Sequence, residues 1–319
     1  MKTREKAATS QATVRSLSVH GYRSAKVGLK TFQQFVGNRV WSDDQTNEKL
    51  LADYRTYLES KVQDGSYKPN TFNDKLKFLK LHVKWLYRQR LIPELPRNLQ
   101  EVGVKARTIK QGHPLTLEQV QQLWAVAAPR ERCWMVLGLN CGYYSKDISD
   151  LIPKDMTVAP GYVARMRQKK DVPSKHLLWA VTCNLIEECR FKGQDAATKS
   201  LFLSKNHTVL NEAGRDLVGI FFKKLVDRAK IKAVFSQFRD TGAEFVENYA
   251  RQHTPYDPSL TQLYLAHRDN RTAQYYLSND PAVMQVPALD QALAAMEKHF
   301  NLEHNPKDAA QPVEQDATK

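Results

Sequence analysis

Between Thr71 and Arg90 the chain carries its least ambiguous structural instruction. Phe72, Leu76, Leu79, Val83 and Leu86 recur at spacings of four and three, which puts their side chains on one face of an α-helix. Lys77, Lys80, Lys84 and Arg88 recur along another face, with Lys75 and Arg90 nearby and only Asp74 opposing them. Solvated helix faces usually mix signs, so an almost wholly cationic stripe fits contact with phosphates. The same sign dominates the whole chain, with 48 Lys and Arg against 34 Asp and Glu and a formal charge of +14 over 319 residues. A protein this basic usually meets a polyanion, most often nucleic acid, although charge alone also serves solubility.

Helical spacing also precedes this segment. Val27, Leu29, Phe32, Phe35 and Val36 form one run that begins near Tyr22. Asp43, Asp44 and Thr46 are placed to cap a second run through Leu50, Leu51, Tyr54 and Leu58. Residues 1–11 are polar and unpatterned, and are expected to be disordered. The length accommodates two domains, each burying its own core, and the first is assigned to 12–98. After Leu91-Ile92-Pro93 the periodicity fades. Lys105, Arg107 and Lys110, with Gly103 and Gly112, make 99–113 an extended basic linker, either a plain tether or a strap between domains that encircle a duplex.

A second domain is expected over 114–302, before a polar and disordered tail at 303–319. Thr116 and Gln119 have the spacing of a capping box. Cys133–Leu139 is apolar enough for a buried helix that Gly142 ends, and Lys146–Leu151 starts a short one. Val163–Arg167 alternates apolar and basic residues, a turn follows at Lys169-Lys170-Asp171, and Lys175–Trp179 runs back, a strand-turn-strand pattern. Helices are expected at Cys183–Cys189, Gly214–Ala229, Thr241–Ala250 and Leu260–Leu277, and a last one carries Leu289, Leu293, Met296 and Phe300. The fold class is therefore mainly α, with a small antiparallel hairpin.

Three polar residues stand at telling distances in the last quarter. Arg239 opens a helix-like run in Ser236-Gln237-Phe238-Arg239, His267 ends Leu265-Ala266-His267, and Tyr276 lies nine residues beyond it. This pattern resembles the tyrosine recombinase (phage integrase) family, which carries H-x-x-R, L-G-H and a nucleophilic tyrosine nine residues after that histidine. The resemblance runs from about Val19 to Phe300. It implies a helical, SAM-like core-binding domain followed by a mostly helical catalytic domain. It further implies site-specific cleavage and rejoining of double-stranded DNA, as in integration of a mobile genetic element, through a 3′-phosphotyrosyl link and without metal or cofactor. Tyr276, rather than its neighbour Tyr275, would be the nucleophile, Arg239 a bidentate phosphate clamp, His267 a donor to the same phosphate and Lys169 the acid on the hairpin. Lys77, Lys80, Lys84, Arg88, Arg165 and Arg167 would bind DNA. The resemblance also implies a homo-oligomer on DNA, a tetramer, and a cytoplasmic, nucleoid-associated protein; its last helix either joins a neighbouring protomer or packs on its own domain.

Two positions depart from the family pattern. Its first arginine lies in T-G-L-R-x-x-E, where this chain reads Cys141-Gly142-Tyr143-Tyr144-Ser145-Lys146-Asp147, so Tyr144 replaces the arginine. Ser236 replaces the first histidine. Loss of one transition-state donor costs about 10²–10³ in rate, so either Lys146, Arg165 or Arg167 substitutes, or the protein is a degenerate recombinase that binds DNA without cutting it.

Other classes fit less well. Carboxylates are scattered rather than clustered as a metal nuclease requires, and no G-x-x-x-x-G-K-[ST] occurs. No apolar run of about 18 residues is present, and the polar N-terminus has no secretory apolar core. Cys133, Cys141, Cys183 and Cys189 form no C-x-x-C pair and read as reduced thiols.

Overall fold

Among the described residues of the first part of the chain, three α-helices are present: α1 (Val19–Val36), α2 (Asp44–Gln63) and α3 (Pro69–Arg88). The computed structural model describes residues 19–37, 44–100, 113–156, 161–167, 172–193, 200–212, 215–253, 255–267 and 284–304. Pro69 opens α3, where the missing N–H costs nothing and the fixed φ suits the first turn. Its predicted apolar face is buried at Phe72, Leu76, Leu79 and Val83, against Leu50, Leu51, Tyr54 and Leu58 of α2 and Phe32 and Val36 of α1. Each such side chain contributes roughly 2 kcal/mol by leaving water.

Two sequence expectations fail here. Val27 is exposed, because α1 turns Gly28, Phe32 and Val36 inward, and Gly28 lets the Phe78 ring approach. Lys75, expected near the cationic stripe, is buried instead; its ammonium donates to Thr31 Oγ1 at 2.7 Å and lies 4.9 Å from the centre of the Tyr67 ring.

The chain divides into two units, one ending at Gln111 and one beginning at Gly112. The second is also mainly helical. Its helices are α4 (Leu117–Val126), α5 (Pro129–Asn140), the short α6 (Ser145–Ser149), α7 (Ala180–Cys189), α8 (Leu217–Ala229), α9 (Gln237–Gln252), α10 (Ser259–Tyr264) and α11 (Pro287–Phe300). The capping box at the start of α4 is present: Gln119 N donates to Thr116 Oγ1 at 3.2 Å, and Thr116 N to Gln119 Oε1 at 3.0 Å. Strands β1 (Tyr162–Arg167) and β2 (Val172–Leu177) pair antiparallel, with Arg167 opposite Val172. A second ladder joins β3 (Asn211–Glu212) to β4 (Arg215–Asp216). β2 begins and ends earlier than the sequence suggested, because Trp179 leaves the ladder to start α7 and donates its indole N–H to Leu293 O at 2.9 Å.

Helix α5 is the centre of this unit, buried from Cys133 to Asn140. Gly142, at φ +61°, turns the chain after it. The run expected over Leu260–Leu277 ends at Tyr264, because Ala266 takes a left-handed φ of +46°. One of two alternatives holds for α11. Its stripe of Leu289, Leu293, Met296 and Phe300 is buried in its own unit, against Trp179 and the α9 face that carries Phe245, the packing on its own domain that the sequence also allowed. The four cysteines are free thiols, with Cys133 and Cys141 buried. Among the described residues no helix is long and apolar enough to cross a membrane.

Candidate active site

Arg239 sits one turn into α9 and is 3% exposed. Its Nη1 donates to Gly142 O, and its Nη2 donates to Leu265 O at 2.7 Å. His267 Nε2 lies 3.4 Å from Nη2, close enough to accept from it with the ring proton on Nδ1. Thus the turn after α5, the start of α9 and the end of α10 converge on one guanidinium. Burial first, and then the positive charge of Arg167, lower the Arg239 pKa from its usual value. Among the described residues Arg239 has no carboxylate partner.

Tyr264 holds this convergence in place. Its hydroxyl donates to Leu139 O at 2.6 Å, and its own carbonyl lies 3.0 Å from Nε2 of the buried His176. A Cβ on Gly242 would come within 1.9 Å of the Tyr264 hydroxyl, so α9 reaches α5 only because residue 242 has no side chain. His176 packs edge-on against Tyr143 and Tyr264, and burial lowers its pKa to about 4, so it is neutral.

Arg167 reaches the same place from β1. It clasps Asp147 with Nε at 3.3 Å and Nη2 at 3.0 Å, and its Nη1 donates to Leu265 O at 3.0 Å. That oxygen therefore accepts from both Arg167 and Arg239. Asp147 also accepts from Tyr144 N at 3.0 Å, which sets the start of α6. The Tyr144 ring lies over both cations, its centre 4.8 Å from the Arg239 guanidinium carbon and 5.4 Å from that of Arg167. Arg165 is turned to Asp147 O at 2.6 Å, and Lys146 lies outside the cluster, paired with Asp150 at 2.8 Å. Ser236 precedes α9 without a capping hydrogen bond from its side chain.

The structure therefore gathers Tyr144, Arg167, Arg239 and His267, with Ser236 one turn before Arg239. Lys169, Tyr275 and Tyr276 lie outside the described residues. Sequence reasoning kept Asp147 as part of the motif but missed its clasp on Arg167. The available signal was that Arg165 and Arg167, two apart on a strand, must share a face. His176 and Leu265 O carried no sequence signal. In the first unit, Lys77, Lys84 and Arg88 are exposed and Lys80 is half-buried. Burial first, and then the neighbouring charges of Lys84 and Arg55, lower the Lys80 pKa.

The described residues adopt the fold of solved integrase structures, in line with the resemblance that the sequence motifs carry. A lambda integrase fragment, residues 75–356, crystallised as a dimer bound to a COC′ core site, superposes with a TM-score of 0.62 at 13% identity, covering 88% of this chain and 95% of that one. Lambda integrase as a tetramer bound to a Holliday junction gives 0.61 at 12% identity, over 83% of this chain and 77% of that one. The Tn1549 transposon integrase in complex with a circular intermediate DNA gives 0.50 at 15% identity, over 86% and 99%. No protein-family model matches the sequence, and no curated protein does.

Proposed function

We propose that this protein binds double-stranded DNA and transfers its strands through Tyr276. The observation that carries the reading is Arg239, a guanidinium buried to 3% exposure with no carboxylate partner among the described residues. Burying an unpaired charge is costly, and the cost is offset when an anion arrives. Arg239 uses Nη1 once and Nη2 for Leu265 O and His267, which leaves two N–H groups uncommitted among the described residues. A phosphodiester is an anion that a planar fork binds through two oxygens.

In this mechanism the Tyr276 hydroxyl gives up its proton to solvent water and its oxygen attacks phosphorus. A phosphotyrosyl bond forms with the 3′ side, the bond to the 5′ oxygen breaks, and Lys169 supplies the proton that oxygen takes. Arg239 and His267 stabilise charge on the non-bridging oxygens, where it accumulates in the transition state. The 5′-hydroxyl of another strand reverses the steps. Lys77, Lys80, Lys84 and Arg88 on α3, with Arg165 and Arg167, bind DNA. A homo-oligomer, a tetramer, assembles on it.

A second reading is favoured by Tyr144 and Ser236: the fold is kept for DNA binding and cuts nothing. Covalent trapping separates the two. Protein is mixed with supercoiled plasmid and with fragmented genomic DNA from its source, quenched in detergent and probed for protein-linked DNA. Strand transfer predicts an adduct that Tyr276→Phe abolishes and Tyr275→Phe retains. Retained binding with no adduct on genomic DNA would establish the second reading.

A further inference from the structure

We propose that Arg167, carried on β1, supplies the second phosphate-binding guanidinium that position 144 lacks, and that the Tyr144 ring positions it beside Arg239. The chemistry of this seat rests on the strand-transfer reading above, but its capacity to bind a phosphodiester does not.

Three cations were in reach by sequence, and the geometry selects one. Lys146 is 63% exposed and spent on Asp150, outside the cluster. Arg165 donates to Asp147 O and its guanidinium lies 5.8 Å from the centre of the Tyr143 ring rather than the Tyr144 ring. Arg167 alone of the three shares an acceptor with Arg239, since an Nη of each lies within 3.0 Å of Leu265 O. Two guanidiniums anchored on one oxygen are close enough to grip one phosphate. Each retains two N–H groups that no described residue takes.

The charge balance points the same way. Arg167 and Arg239 carry two positive charges, and among the described residues the one carboxylate paired with either is Asp147, held by Arg167. One positive charge is left over, and a bridging phosphodiester carries one negative charge. An unassisted pair of guanidiniums this close would repel. The ring of Tyr144, negative on its faces, lies over both and offsets that repulsion without bringing a third cation. Position 144 therefore keeps a part in the site as a positioning residue, by holding two arginines rather than by being one. Asp147 orients both parts, through the Arg167 fork and through Tyr144 N.

The test uses the full chain with two readouts: a salt titration of binding to duplex DNA, and covalent trapping. Arg167→Ala is expected to reduce the slope of log affinity against log salt by about 1 and to slow adduct formation by about 10²–10³. Arg167→Lys, which keeps a charge for Asp147 but loses the fork, guards against a folding defect and is expected to lie between. Tyr144→Ala should weaken both readouts, and Tyr144→Phe, which keeps the ring, should lose less. Tyr144→Arg introduced into Arg167→Ala should restore part of both, which repair of a merely structural loss would not do. If Arg167→Ala leaves slope and adducts unchanged while wild type forms adducts, the proposed seat is wrong and strand transfer stands. If wild type shows an Arg167-dependent slope but no adduct, strand transfer is wrong and the seat stands. Failure of Tyr144→Arg to rescue would also overturn the seat.

Discussion

The two cationic regions of this protein are built on opposite principles. Helix α3 displays Lys77, Lys84 and Arg88 to solvent, whereas the second unit keeps Arg239 and Arg167 at 3% and 9% exposure. Displayed charge costs the fold little, is screened over about 10 Å in ordinary salt and has no fixed geometry. Enclosed charge costs desolvation when the chain folds, but its donors are then already aimed. The first kind can attract any polyanion; the second can only recognise an anion of the right shape. The proposed strand transfer needs both, one to hold DNA and one to act on a single phosphate.

The largest expected effect tests the enclosed kind. Arg239→Ala should slow adduct formation at saturating DNA by about 10²–10³. Variants of α3 should act on affinity instead, so that saturating DNA restores their rate. A rate loss in α3 variants that saturation does not restore would erase the distinction.

The next concerns His176, buried between Tyr143 and Tyr264 with a pKa lowered to about 4 from an ordinary 6.5. Desolvation is the main cause, and Arg239 and Arg167 add to it. Because the folded-state value is depressed, the stabilisation is fully present above pH 6.5 and is lost as pH falls towards 4. The shift corresponds to roughly 3–4 kcal/mol. Urea unfolding across that window should show the decline, and His176→Gln should flatten it. An equally steep decline in His176→Gln would place the acid sensitivity elsewhere.

Displayed charge should respond more gently. Replacing Lys77, Lys80, Lys84 and Arg88 one at a time by alanine should lower the salt slope by about 0.9 each, read by fluorescence anisotropy. A single lysine that removed most of the binding would show that α3 also works by geometry. The smallest effect is backbone strain. Ala266 occupies a left-handed conformation at φ +46°, so Ala266→Gly should raise stability by about 1 kcal/mol, seen as a higher melting temperature.

The same contrast explains what the sequence made legible. Periodicity names the apolar face of a helix, so α3 and α2 could be read directly, as could the capping box at Thr116. It does not name what covers that face. Hence the seat of α11 stayed open between a second copy and its own domain, and Trp179, Phe245 and the rest of its own unit cover it. Lys75 looked like its cationic neighbours, but α1 brings Thr31 over it from 44 residues away. In the site, motif spacing placed Arg239 and His267, because a chemical constraint leaves a linear trace. The Arg167–Asp147 clasp and the shared Leu265 carbonyl depend on β1 lying against the end of α10, which no local pattern encodes.

The frame around Tyr264 has a consequence for how such a site can change over time. Tyr264 meets α5 through Leu139 O, α9 through the bare Gly242 and the hairpin through His176, none of which involves the side chain at 144 or 236. Tyr144 is 40% exposed and Ser236 sits half-buried before α9. Mutation can therefore sample both positions without first dismantling the scaffold. Under the proposed reading, fold and chemistry can change separately: a change at position 144 leaves the frame around Tyr264 intact, while Arg167 already stands on β1 beside Arg239.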